Sequence, residues 1–339
     1  MGLLLVLAFG IITQGGVFLS QNNLTNAVGA FASRGILAVG ETLVILAAGI
    51  DLSVGSMLGL ASMTSAMLLV DVGLPPLLIL PLTMLAGLLM GLCNGAATTW
   101  LRIQPFVVTL ATLSIFRGLS REISNNVSIG TQQVMENGEL APHSEQFQLF
   151  GTPGHNLFEG TPLPLVGTAG VYYPVLAFVL VCVVFQLVLS KTRFGRHIYA
   201  VGGNETAARL SGINVTRVRI AVFALAGMLA GFAGPIDAAY AAAADPLAGT
   251  TWELDAIAAA VIGGASLNGG KGKITGTFVG ALILTLLDNV LGLNGVSANL
   301  QLIIKGLIVM VAVVVQRPEL LRGTRQKLQR LTPTAPHKN

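Results

Sequence analysis

Long apolar runs alternate with short polar stretches along the chain. Ten of them lie near 2–19, 28–49, 52–70, 75–97, 105–123, 171–190, 218–240, 252–268, 276–292 and 300–316. Each approaches the roughly 20 residues a helix needs to cross hydrocarbon. The runs are continuous rather than alternating. That favours helices over barrel strands, because backbone groups in lipid must be satisfied within the segment. The expected fold is an all-α polytopic membrane protein of about ten transmembrane helices. Some are broken or short: the second and third runs meet at Gly49-Ile50-Asp51, and the eighth is short. The first run has no basic stretch ahead of it and reads as a span, not a cleaved signal peptide.

Composition supports this reading. Apolar types make up 53% of the 339 residues and charged types 10%, against roughly 25% charged in soluble proteins. Mean hydropathy is +0.76. These values argue against a soluble enzyme, a nucleic-acid-binding domain and a disulfide scaffold. The cysteines, Cys93 and Cys182, sit in apolar runs and read as small buried hydrophobes. No Cys/His metal spacing occurs.

The few charges are sorted. The loop 191–217 carries Lys191, Arg193, Arg196, Arg209 and Arg217, and the tail 317–339 carries Arg317, Arg322, Arg325, Lys327, Arg330 and Lys338. Lys271 and Lys273 fall in one short connection and Arg102 in another, whereas the loop 124–170 has glutamates and no Lys or Arg. By the positive-inside rule, both termini and the loop 191–217 are cytoplasmic and the loop 124–170 is periplasmic. Residues 1–316 then form one transmembrane domain, followed by a cytoplasmic tail at 317–339.

Within the runs, Gly55/Gly59, Gly87/Gly91/Gly95, Gly227/Gly231 and Gly276/Gly280 are spaced four apart. That spacing lines one helix face with small residues and lets backbones approach closely. Ionisable groups at membrane depth are costly and mark either a pathway or a paired structural site. The candidates for a translocation pathway or gate are Glu41, Asp51, Ser53, Glu253, Asp255, Asp288 and Asn289. Gly49-Ile50-Asp51-Leu52-Ser53 reads as a helix broken and restarted by an Asp or Ser cap. Asp288 and Asn289 interrupt the ninth run. Arg117, Asp237 and Lys305 read as side chains that reach the interface. The residues alone leave caps and interhelical hydrogen bonds open as alternatives throughout.

No enzyme constellation is present. Gly269-Gly270-Lys271-Gly272-Lys273 lacks the spacing and final hydroxyl of a phosphate-binding loop, and hydrolase motifs are absent. The chain is read as having no catalytic residues, metal or cofactor of its own, so any energy source other than an ion gradient must come from another chain. In the basic loop, Asn204-Glu205-Thr206-Ala207-Ala208-Arg209-Leu210-Ser211-Gly212 predicts a short helix with Asn204 as N-cap and Gly212 as its stop. Such a helix is a knob for a cytoplasmic partner.

Several motifs occur in order at consistent spacing. They are Gly49-Ile50-Asp51-Leu52-Ser53-Val54-Gly55-Ser56, Phe194-Gly195-Arg196, Ala200-Val201-Gly202-Gly203-Asn204, Ala207-Ala208-Arg209, Glu253-Leu254-Asp255-Ala256-Ile257 and Leu267-Asn268-Gly269-Gly270-Lys271-Gly272. Over residues 30–316 the chain resembles the ribose-type permease family of bacterial ABC importers. The resemblance implies a multi-pass inner-membrane permease for a monosaccharide. It would pair with a second permease chain, an ATPase subunit that binds ATP and Mg, and a periplasmic sugar-binding protein. It also implies that Asn204–Gly212 is the helix coupling to the ATPase. A nucleoside, autoinducer-2 or branched-chain amino acid importer of the same architecture is the neighbouring reading, and an ion-coupled transporter using Glu41, Asp51 and Asp255 a more distant one.

Overall fold

The computed structural model describes residues 2–132, 140, 142–151 and 173–315. Most of the expected periplasmic loop and all of the basic tail therefore lie outside the described residues. The helices, in order, are α1 (Gly2–Phe18), α2 (Gln21–Leu46), α3 (Val54–Val70), α4 (Pro76–Trp100), α5 (Pro105–Ile123), α6 (Ser144–Gln148), α7 (Tyr173–Lys191), α8 (Arg193–Gly203), α9 (Glu205–Leu210), α10 (Val215–Tyr240), α11 (Trp252–Ile262), α12 (Ile274–Leu293) and α13 (Ala298–Val315). Strands β1 (Ile129–Gly130) and β2 (Ala243–Ala244) form one short antiparallel ladder.

Each of the ten apolar runs carries a helix. Five helices are long and apolar enough to cross a membrane: those at Asn22–Leu46, Pro76–Trp100, Tyr173–Lys191, Val215–Tyr240 and Ile274–Leu293. The eighth run departs from the expected extent. Its helix α11 stops at Ile262, and the rest turns through Gly264, Gly269 and Gly270, all at positive φ. The ninth run, by contrast, is a single helix through Asp288 and Asn289, and both side chains find partners on α2 without breaking the backbone.

α2 is the centre of the bundle. Its second half, Leu37 to Leu46, is buried on every side, and α7, α10, α11 and α12 all pack on it. α10 lies against α4, and here the glycine spacing acts as expected. A methyl group at Gly91 would meet the Phe223 carbonyl and come within 2.9 Å of Ala224 Cα, one at Gly87 would meet the Gly227 carbonyl, and one at Gly95 would sit 2.7 Å from Ile220 Cα. Gly276 and Gly280 press α12 against Gly263 and Ala259 of α11 in the same way. At the far end from α8, Phe147 of α6 packs with Met63, Leu69 and Ala238, and Gln148 donates to Thr131 Oγ1 at 2.8 Å.

The outer faces are apolar. Ile12, Leu77 and Leu180 are all well exposed, an arrangement stable when the surrounding solvent is lipid. Cys182 is buried as expected but Cys93 is exposed, because α4 gives its glycine face to α10 and turns Cys93 away. α13 belongs to a second unit that begins at Ser297.

The α4–α10 contact is predicted to tolerate no side chain. Gly91→Leu should separate the helices at a cost of about 3 kcal/mol or more, read as loss of the monodisperse peak in detergent size-exclusion chromatography. Gly118→Leu, where nothing lies within 4 Å, should keep it.

Candidate functional site: a helix break joined to a basic end

The break between α2 and α3 is a designed helix end. Ala48 N–H donates to Ile45 O and Gly49 N–H to Val44 O, both at 2.9 Å, with Ala48 left-handed at φ 58°. This is the paired closure that ends many helices, here with Ala where Gly is usual, at a strain of about 1–2 kcal/mol. The Leu46 carbonyl is met from elsewhere: Gly270 N–H donates to it at 2.9 Å. Gly202 of α8 packs on the same carbonyl.

Beyond the break, Asp51 organises the restart. One carboxylate oxygen accepts the Ser53 N–H at 2.8 Å and the Ser53 hydroxyl at 2.6 Å. Asn94 of α4 donates to Ser53 Oγ at 2.8 Å, and Glu41 of α2 accepts the Asp51 N–H at 3.2 Å. Ser53 occupies the N-cap position of α3, but its side chain makes no cap bond. The expected Asp or Ser cap is thus replaced by Asp51 folding onto Ser53. Glu41, Asp51, Ser53 and Asn94 are all 0% exposed. Glu41 Oε2, Asp51 Oδ2 and Asn94 Oδ1 have no hydrogen-bond partner among the described residues. Buried unmade bonds of this kind cost about 1–3 kcal/mol each, and they concentrate at functional sites.

The segment after β2 reaches this region from the other end. Gly249 and Ala248 carbonyls pack on Gly55 and Gly59 of α3, which is why those glycines carry no side chain. Arg117 donates to Pro246 O at 3.0 Å and Ala248 O at 2.6 Å. It is turned into the bundle, contrary to the expected reach to the interface, because these two carbonyls lie outside any helix and need donors. Thr251, left-handed at φ 69°, starts α11. Glu253 then lies against Gly55, while Leu247 and Leu254 on the same segment are exposed.

Asp255 and Asp288 fall in a separate cluster. Both line a small cavity with Arg34. Arg34 pairs with Asp288 at 2.7 Å and stacks over Trp252 at 4.8 Å, joining α2, α11 and α12. Asn289 and Asn23 exchange amide hydrogen bonds of 2.7 and 2.9 Å. The site candidates therefore divide in two: Glu41, Asp51 and Ser53 at the break with Glu253 nearby, and Asp255, Asp288 and Asn289 around Arg34. Sequence reasoning missed Arg34, Trp252 and Asn94. Arg34 was legible as the one cation in its apolar run, but Asn94 and Trp252 carry no pattern of their own.

At the basic end, α9 forms as the sequence implies. Asn204 Oδ1 accepts the Ala207 N–H at 2.9 Å. Gly212, at φ 82°, follows, with Gly212 N–H on Arg209 O and Ile213 N–H on Ala208 O, both at 3.0 Å. Glu205 accepts Arg209 at 3.0 Å and Arg219 of α10 at 2.6 Å. Ala208 is buried, whereas Leu210 is 85% exposed. A second helix, α8, was not anticipated. Tyr199 on it donates to Gly272 O at 2.8 Å. One connected set of contacts thus runs from α9 through α8 to the Leu46 carbonyl and the break.

The chain matches the family model described as branched-chain amino acid transport system / permease component over residues 23–313. It is 41% identical to the ribose import permease protein RbsC of Bacillus subtilis, covering 88% of this chain and 86% of the relative. Identity to the ribose import permease protein RbsC of Escherichia coli is 42%, covering 92% and 91%. Identity to the xylose transport system permease protein XylH of Escherichia coli is 37%, covering 91% and 88%. No solved structure gives a significant match. Matched over most of its length, the chain belongs to the family of branched-chain amino acid transport system permease components.

Proposed function

We propose that the chain is the membrane-spanning permease subunit of a bacterial ABC importer for a monosaccharide, resident in the inner membrane. The observation that carries this reading is the mechanical link just described: a capped helix displayed at the basic end, fastened to a helix break that holds buried carboxylates. α9 has what a docking knob needs. Its termini are closed, its inner face is anchored by Ala208 and Glu205, and its tip presents Leu210. The ribose and xylose permeases among its relatives favour a sugar over the amino acid in the family's description.

In this reading the basic end faces the cytoplasm, both termini are cytoplasmic, and α9 sits in a groove of a separate ATPase subunit. ATP-driven movement of the ATPases displaces α9 and α8. Because α8 and the turn at Gly270 hold the Leu46 carbonyl, that displacement reaches the end of α2 and the Asp51 turn. The orphaned oxygens of Glu41, Asp51 and Asn94 give the break a second set of partners to find, as a bistable element requires. Asp255, Asp288 and Asn289 lie along α11 and α12 and line the route at a second depth. Polar groups there exchange hydrogen bonds with the hydroxyls of a passing sugar. A second permease chain completes the pathway, and a periplasmic binding protein delivers the sugar.

Three outcomes are predicted. Leu210→Asp should leave folding within about 0.5 kcal/mol, as an exposed substitution, yet abolish copurification with the ATPase and sugar uptake; wild-type coupling would reject the docking role. Asp51→Asn keeps the acceptor for Ser53 and removes the charge, so it should insert normally while uptake falls roughly tenfold or more, a barrier change of about 1.4 kcal/mol; unchanged uptake would remove Asp51 from the pathway. In vesicles loaded with ATP, uptake should survive collapse of the proton gradient, whereas an ion-coupled transporter would stop.

A further inference from the structure

A cavity of about 450 Å³ opens at the basic end, where the turn between α4 and α5 meets α9 and the start of α10. Its wall carries Arg102, Arg209 and Arg219 against one carboxylate, Glu205. That carboxylate is already shared between Arg209 and Arg219. Arg102 has no ion-pair partner among the described residues. It is also held left-handed at φ 56°, a conformation that costs a non-glycine residue about 1–2 kcal/mol and that persists mainly where function requires it. The positive ends of two long helices, α5 and α10, begin at the rim and add to the attraction for an anion. The hydroxyls of Thr98 and Thr99 give their protons to the Gly95 carbonyl, so the charged donors available to a ligand are the guanidinium groups, with Gln104 and Thr216 as neutral donors in the same wall.

The surface beside this cavity is of the opposite kind. Trp100 at the end of α4, Leu101 beside Arg102 in the turn and Phe106 in the first turn of α5 are 72%, 67% and 49% exposed. A cationic hollow with an apolar flank at a helix end fits an amphiphile with an anionic head. Basic pockets between helices on the cytoplasmic side are the usual seat of such headgroups, and exposed Trp is characteristic of the interface. We infer that the cavity binds the phosphate headgroup of an anionic phospholipid of the adjacent leaflet, with its acyl chains along Trp100, Leu101 and Phe106. Arg219 belongs both to the cavity wall and to the ion pair that fastens α9 to α10. A phosphate at Arg219 competes with Glu205 and loosens α9. This last consequence rests on the coupling role of α9, whereas the binding itself does not.

The test uses the purified full-length chain in nanodiscs, with lipid retention read by native mass spectrometry, a measurement independent of transport. Arg102→Gly removes the charge and relieves the backbone, so it folds at least as well as the parent. Arg102→Lys keeps the charge. Wild type should retain phosphatidylglycerol over phosphatidylcholine. Arg102→Gly should lose about fivefold in phosphatidylglycerol affinity with phosphatidylcholine unchanged, and Arg102→Lys should recover most of it. Equal phosphatidylglycerol retention by wild type and Arg102→Gly would overturn the inference. So would complete displacement of the lipid by millimolar inorganic phosphate, which would mark a free-phosphate site, or by the ATPase subunit, which would assign the cavity to a partner's carboxylate.

Discussion

A helix that ends inside an apolar medium leaves carbonyls that only the protein can satisfy. The end of α2 is such a place, and the architecture around it follows from meeting that demand. The chain turns back on itself so that Ala48 and Gly49 take two of the carbonyls, and the Leu46 carbonyl is left for Gly270. For Gly270 to reach it, the turn after α11 must lie against α8, which explains why Gly202, Gly269 and Gly270 have no side chains at their contact. The same turn holds Tyr199 through the Gly272 carbonyl. A local bonding requirement in the interior thereby fastens the surface helices to the core.

The polar groups beyond the break behave differently from those around Arg34. In the Arg34 cluster, charges are matched: an ion pair to Asp288, a ring face beneath the guanidinium, and a reciprocal amide pair alongside. These interactions tie α2, α11 and α12 together. At the break, Asp51 and Asn94 meet at Ser53 while Glu41 takes the Asp51 N–H, and each of the three keeps an unused acceptor. Such a half-satisfied network is poor at specifying one packing and well suited to exchanging between two.

Much of this was legible in the residue pattern. Apolar runs announced the helices because a continuous apolar segment in lipid can satisfy its backbone within itself only as a helix. Gly87, Gly91 and Gly95 announced a close contact, and Asn204 and Gly212 announced the ends of α9, since each of these signals acts within a few residues. Arg117 was misread because a long side chain late in an apolar run looks the same whether it turns outward or inward. The choice was made by the carbonyls of Pro246 and Ala248, more than a hundred residues away in the chain.

The sequence by itself determined that the protein lives in a membrane, where its helices fall, which end is basic and which small segment is shaped as a knob. These follow from solvent preference and from local hydrogen bonding. Only the tertiary structure decided that Asp51 closes on Ser53 beneath Asn94, that Arg34 stands between Asp288 and Trp252, and that α8 holds the end of α2. Apart from the local closure of Asp51 on Ser53, those pairings join residues remote in sequence, and the physical reason they form, an unmet polar group in a low-dielectric interior, leaves no periodic trace along the chain.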